Sequence, residues 1–162
     1  MKFYHIKDDY IAFLKEYDSK VAENKNERRP YIGVVLEIDD LKYYAPFTSP
    51  KAKHLKMKNT KDFRKISGGK LGAINFNNMI PVTESALIQL DISKEQDERY
   101  KRLLQNQYLA IVADQDGIKR TAAQLRAIIF KNEAECTEHE RTLIARCCDL
   151  KKLEKIYLDY DK

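Results

Sequence analysis

Residues 31–38, YIGVVLEI, are β-branched and almost continuously apolar, and Asp39-Asp40 separates them from a second strand-like run, LKYYAPFT, at 41–48. A strand covered on both faces reads this way, and the paired acids supply the polar turn of a hairpin. With residues 39 and 40 at the turn, position 31 pairs near position 48. Whatever precedes the first strand therefore lies beside whatever follows the second. Arg29 enters at that end and Thr48-Ser49-Pro50-Lys51 leaves from it, so these residues are expected to be neighbours.

Around the hairpin, residues 2–6 alternate like a strand, and Tyr10, Ile11, Leu14, Tyr17 and Val21 recur at helical spacing behind a cap at Asp8 or Asp9. Residues 22–29 form a polar loop that delivers Arg28 and Arg29. Two short strands follow at 71–75 and 79–82, the second at a sheet edge or strand end because Pro81 cannot donate to a ladder. After Asp97 the period changes: Tyr100, Leu103, Leu104, Tyr108, Ile111 and Val112 mark an amphipathic helix. A second helix is expected over about 115–131 and a third over about 138–159, the last opened by a Thr137/Glu140 capping box. The fold class is α+β, an antiparallel, strongly curved sheet or partial barrel with helices packed against it and a helical C-terminal third.

The 162 residues suit a single domain, 1–162, and 43% hydrophobic with 34% charged residues is a globular composition. No window approaches the roughly 18 apolar residues of a membrane span, and the N-terminus has no secretory pattern, so a soluble cytoplasmic protein is expected. Cys136, Cys147 and Cys148 are odd in number and two are adjacent, which argues against a disulfide framework. There is no CxxC, the three histidines are far apart, and no phosphate-loop motif occurs; neither a metal nor a cofactor is expected.

The charge is uneven. Residues 42–70 hold nine Lys or Arg against Asp62 alone, a local +8 in a chain of net charge +5. So focused a field selects polyanions, though a lysine-rich loop can also be only a solvated surface. Tyr43, Tyr44 and Phe47 beside these cations suit unpaired bases. Lys53, Lys56, Lys58, Lys61 and Lys65 are candidates for collective phosphate contact, and Tyr10 for the groove wall.

The start MKFYHI, the strand YIGVVLEI, the run KYYAPFTSPK, the segment LGAINFNNMIPV and the helix opening YKRLLQNQ occur in that order. Over residues 1–112 they resemble the ToxN, AbiQ and CptN group, the toxins of type III toxin–antitoxin systems. The resemblance implies a fold similar to the MazF and Kid toxins. It also implies a metal-independent endoribonuclease that cuts A-rich single-stranded RNA, including cellular mRNA, acts in phage defence and processes its own antitoxin precursor. The implied inhibitor is a small repeated RNA pseudoknot in a closed toxin–RNA assembly, with no protein antitoxin and no membrane partner. The family's Thr-Ser-Pro-Lys motif falls on Thr48, Ser49, Pro50 and Lys51, a histidine of some members falls on His54, and Arg29 stands where a lysine is known. Arginine keeps its charge, so at that position it stabilises anions and cannot accept a proton.

Metal-free RNA cleavage needs the 2′-hydroxyl deprotonated, the phosphorane's charge stabilised and the 5′-oxygen protonated. Arg29 and Lys51 suit the clamp, Thr48 and Ser49 suit hydrogen bonds to the phosphate or the 2′-hydroxyl, and His54 is a candidate proton carrier. The identity of the general base stays open. A non-catalytic single-stranded nucleic-acid-binding domain would use the same basic loop.

Overall fold

The computed structural model describes residues 1–162. Seven strands, β1 (Lys2–Ile6), β2 (Tyr31–Ile38), β3 (Leu41–Thr48), β4 (Phe63–Lys65), β5 (Ala73–Asn75), β6 (Ile80–Pro81) and β7 (Leu87–Gln89), form one antiparallel sheet. The strand order is β4-β5-β3-β2-β1-β7, with β6 paired to β3. The outer strands β4 and β7 do not pair with each other, so the sheet stays open. Six helices complete the chain: α1 (Asp8–Lys15), α2 (Ala52–Lys56), α3 (Glu98–Ala113), α4 (Gln115–Ile129), α5 (Glu138–Arg146) and α6 (Leu150–Ile156). The α+β class expected from the sequence holds.

The central hairpin has the expected strands and turn but a different register. Ile38 pairs Leu41 and Leu36 pairs Tyr43, yet Gly33 pairs Tyr44 and Tyr31 pairs Pro46, because Val34 and Val35 form a bulge. Position 31 therefore lies opposite 46 rather than 48. A bulge bends its strand and increases the local twist, and it leaves Thr48 free to pair with Ala73 of β5.

One hydrophobic cluster of 33 buried residues joins the sheet to the helices. Along α4, Ile118, Ala122, Leu125 and Ile129 recur every three or four residues and are all buried, forming the stripe that packs on β2. Tyr43, Tyr44 and Phe47 are no platform for bases, since all three are buried. The Tyr43 hydroxyl bonds to Glu154, Tyr44 meets Tyr4 edge-on at 5.3 Å, and Phe47 packs on Phe3 at 4.6 Å. Alternation along β3 cannot distinguish an inward ring from an outward one once both faces are covered.

Three other expectations change. The first helix stops at Lys15, so Tyr17 and Val21 lie beyond it; Val21 is buried from the loop, where its spacing imitates a helix. The last helix is two, because Cys147 is extended and Asp149 starts α6 by accepting from Lys152 N. The lysine-rich loop contains α2 and β4. The Thr137/Glu140 capping box opens α5 as expected, with reciprocal bonds of 3.0 and 3.1 Å.

Candidate active site

At the open end of the hairpin a cavity of about 170 Å³ collects four cations, Lys25, Arg28, Arg29 and Lys51; three hydroxyls, Thr48, Ser49 and Tyr100; and the amide of Gln107, over Pro30 and Phe47. It has no carboxylate and no imidazole in its wall. Of the expected site residues, Arg29, Thr48, Ser49 and Lys51 come together here.

The loop before β2 presents the arginines through an unusual local conformation. Lys25, Asn26 and Glu27 all have left-handed φ, 53°, 57° and 63°, which costs of order 1 kcal/mol each for residues with a side chain. Hydrogen bonds offset that cost. Asp8 accepts from Asn24 Nδ2 at 2.7 Å and from Glu27 N at 3.0 Å, while the Glu27 carboxylate accepts from Asp8 N at 2.8 Å. Asp8 is thus a loop anchor and not the helix cap, a position held by Lys7. Arg29 is fixed by its amide donating to Asn24 O at 3.2 Å and by Nε donating to Glu23 O at 2.5 Å.

The strand end is held from three sides. Phe47 N donates to Pro30 O at 3.2 Å, joining the two arms of the hairpin. Gly72, at φ +101°, passes beneath Thr48 so closely that a Cβ there would lie 1.9 Å from Thr48 O. Gln107, 1% exposed, donates to Thr48 O and Leu71 O. The Thr48 hydroxyl is buried without a protein partner. Burial first, and Glu95 second, raise the Tyr100 pKa, so this wall residue stays a protonated phenol near neutrality.

His54 does not join the cavity wall. It is 3% exposed, and its Nδ1 accepts the Lys51 amide at 3.1 Å. Tyr10 is fully buried, donates its hydroxyl to Pro81 O at 2.7 Å and meets Tyr160 edge-on, so it is a core residue and presents no ring at a groove. Lys53, Lys56, Lys58 and Lys61 are exposed and Lys65 is half-buried; none of the five forms an ion pair. Three charges of the basic segment are paired: Arg64 binds Asp114 through both nitrogens at 2.6 and 2.7 Å, Asp62 receives Arg146 at 2.7 and 2.8 Å, and Lys42 lies 3.9 Å from Glu84.

Tyr100 and Gln107 escaped the sequence reading because they reach the cavity from α3, far along the chain. A signal did exist. Tyr100, Leu104, Gln107 and Ile111 form one helical stripe, and Gln107 is a polar residue where the period calls for an apolar one. A larger cavity, of about 350 Å³, lies among α4, α5 and α6 and contains none of these residues. No three His, Cys, Asp or Glu side chains converge as a ligand set, and no helix is long and apolar enough to cross a membrane.

The family model for toxin ToxN of type III toxin–antitoxin systems matches residues 2–158. The chain belongs to the ToxN family. Endoribonuclease ToxN of Pectobacterium atrosepticum is 36% identical over all of the chain and 95% of its own length. Endoribonuclease ToxN of Bacillus thuringiensis subsp. kurstaki is 31% identical over 98% of the chain and 84% of its own length. Endoribonuclease AbiQ of Lactococcus lactis subsp. lactis is 27% identical over the whole chain and 90% of its own length.

Solved structures agree with this placement in the ToxN family. One, from work on selective toxin inhibition by a non-coding RNA pseudoknot in type III systems, aligns with a TM-score of 0.87 at 31% identity, over 99% of this chain and 98% of its own. Another, from work on a processed non-coding RNA that regulates a bacterial antiviral system, aligns with a TM-score of 0.81 at 33% identity, over 100% of both chains.

Proposed function

We propose that the cavity formed by Arg29, Thr48, Ser49, Lys51, Tyr100 and Gln107 is the cleavage centre of an endoribonuclease toxin acting on single-stranded RNA. The observation that carries this reading is the convergence of two hairpin ends, one bringing Arg29 and the other Thr48 to Lys51, on one small cationic cavity.

The RNA 2′-oxygen attacks the adjacent phosphorus as its proton passes to water, the P–O5′ bond breaks, and the 5′-oxygen takes up a proton from water. The products are a 2′,3′-cyclic phosphate and a 5′-hydroxyl. Negative charge on the phosphorane rises along this path, and cations on the cavity wall stabilise it more than they stabilise the ground state. Arg29 and Lys51 fill that role, and Thr48 and Ser49 hydrogen-bond the phosphate oxygens or the 2′-hydroxyl. Tyr100, a neutral phenol on the same wall, can donate a hydrogen bond to the leaving 5′-oxygen.

Lys53, Lys56, Lys58, Lys61 and Lys65 hold the strand on either side by phosphate contact. The same surface suits a structured RNA, which matches inhibition by a pseudoknot processed by the toxin itself, in a closed assembly, within a cytoplasmic phage-defence system. Preference for A-rich sites belongs to the same proposal.

Incubating the purified protein with A-rich single-stranded RNA in EDTA tests the reading. New 5′-hydroxyl and 2′,3′-cyclic phosphate ends are expected, whereas intact RNA or 5′-phosphate ends would overturn it.

A further inference from the structure

The loop between Thr48 and α2 turns on a hydrogen bond from the main chain to an imidazole. Pro50 has no N–H to give, so Lys51 carries the first amide after it. That amide donates to His54 Nδ1 at 3.1 Å, and the His54 amide donates back to Lys51 O at 2.9 Å. The two residues thereby close a small ring that fixes the extended conformation of Lys51, φ −127° and ψ 151°.

The imidazole is itself held in place. Its ring lies 5.9 Å from that of Phe63 on β4. The His54 main chain is confined as well, since a Cβ at position 69 would stand 2.5 Å from His54 O. With 3% exposure and no place in the cavity wall, His54 has no path to a substrate proton.

We propose that His54 is a positioning residue for Lys51: its unprotonated Nδ1 fixes the Lys51 backbone, and with it the point from which the lysine side chain reaches toward the phosphate. This inference rests on the cleavage centre proposed above and gives His54 a role within it that is not proton transfer. For Nδ1 to accept, the ring must be neutral with its proton on Nε2. Burial favours this form, and the charged groups acting on the ring, Lys53 and Lys51, are cations that favour it further. Phe63 and the Gly69 backbone, the neighbours from β4 and the turn before β5, are uncharged. The neighbouring acid, Asp62, is bound to Arg146 and Thr60. Protonation of His54 would place two donors against each other and release Lys51, so turnover should fall on acidification through a group that never touches RNA.

Asparagine places Oδ1 close to where histidine places Nδ1, whereas the glutamine oxygen lies nearer the Nε2 position and alanine has no acceptor. The test compares H54N, H54Q and H54A in the full-length protein. H54A and H54Q are expected to lose about 10- to 100-fold in kcat with little change in KM, the scale on which about 1 Å of misplacement acts. H54N is expected to recover at least about tenfold over H54A and to lack the acid limb of the wild-type kcat profile. An H54N variant as slow as H54A at every pH would overturn the proposal in favour of proton transfer by the ring.

A second measurement needs neither turnover nor a variant. In the wild-type protein, ¹⁵N NMR of the ring should show Nδ1 unprotonated at neutral pH and coupled through the hydrogen bond to the Lys51 amide. A proton on Nδ1 would refute the inference even if cleavage proceeds, and the expected spectrum with no cleavage would refute only the cleavage centre.

Discussion

The side-chain amide of Gln107 donates to the main-chain oxygens of Thr48 at 3.3 Å and Leu71 at 2.9 Å, so one buried residue of α3 fixes both the end of β3 and the approach to β5. Replacing it with leucine keeps the volume and removes both hydrogen bonds. Q107L should cost about 2–3 kcal/mol, seen as a lower urea midpoint with unchanged m-value. Its kcat should fall more than its KM rises, because Thr48 loses its support.

Gly72 makes a sharper case. A Cβ there would approach Thr48 O to 1.9 Å, and the φ of +101° is one that L side chains rarely adopt. G72A should destabilise by about 3 kcal/mol or more, read from thermal unfolding. Any folded fraction should bind RNA through the lysines yet cleave slowly, because the strand end must move.

The exposed lysines should act as a group. K53A and K56A are each expected to weaken RNA binding and to lower the slope of log K against log salt by about 0.7, the single-strand value per phosphate contact. Turnover at saturating RNA should change little. If either variant loses as much kcat as K51A, the division between grip and cleavage centre is wrong.

Stability should fall on mild acidification. His54 and His5 are both shifted below their ordinary value of 6.5, by burial in each case; Lys53 and Lys51 add to it at His54, while Glu27 and Glu95 oppose it at His5. The unfolded chain therefore binds more protons than the folded one as pH drops past 6.5, so the stability present above 6.5 is lost toward the folded values. Urea midpoints at pH 7.5, 6.0 and 5.0 should decrease in that order, and less steeply in H54N. Asp62 acts lower in the range. Burial raises its pKa, but hydrogen bonds from Arg146 and Thr60 outweigh this and leave it below 3.8, so its contribution disappears only in stronger acid.

The sequence made the hairpin, the α3 and α4 helices and the neighbourhood of Arg29 with Thr48 legible, because apolar period and turn chemistry are local signals. Register was not legible. A strand apolar on both faces offers no alternation to reveal the Val34-Val35 bulge. Cys147 to Asp149 hid a helix break inside a continuing helical period, with Asp149 the one local sign of a new cap. Strand β7 was missed because three residues, LIQ, carry no readable period. The roles of Asp8 and His54 depend on partners that the fold supplies, a left-handed loop for one and the Lys51 amide for the other. Residue type alone suggests a helix cap and a proton carrier.

The most direct test of the cleavage centre measures RNA cleavage and RNA affinity side by side in K51A. Cleavage should fall by at least about 100-fold, the loss typical of removing one transition-state charge stabiliser, while affinity falls only by the share of one phosphate contact. Cleavage at near wild-type rate, or losses of cleavage and affinity in equal proportion, would contradict the assignment of Lys51 to the phosphorane.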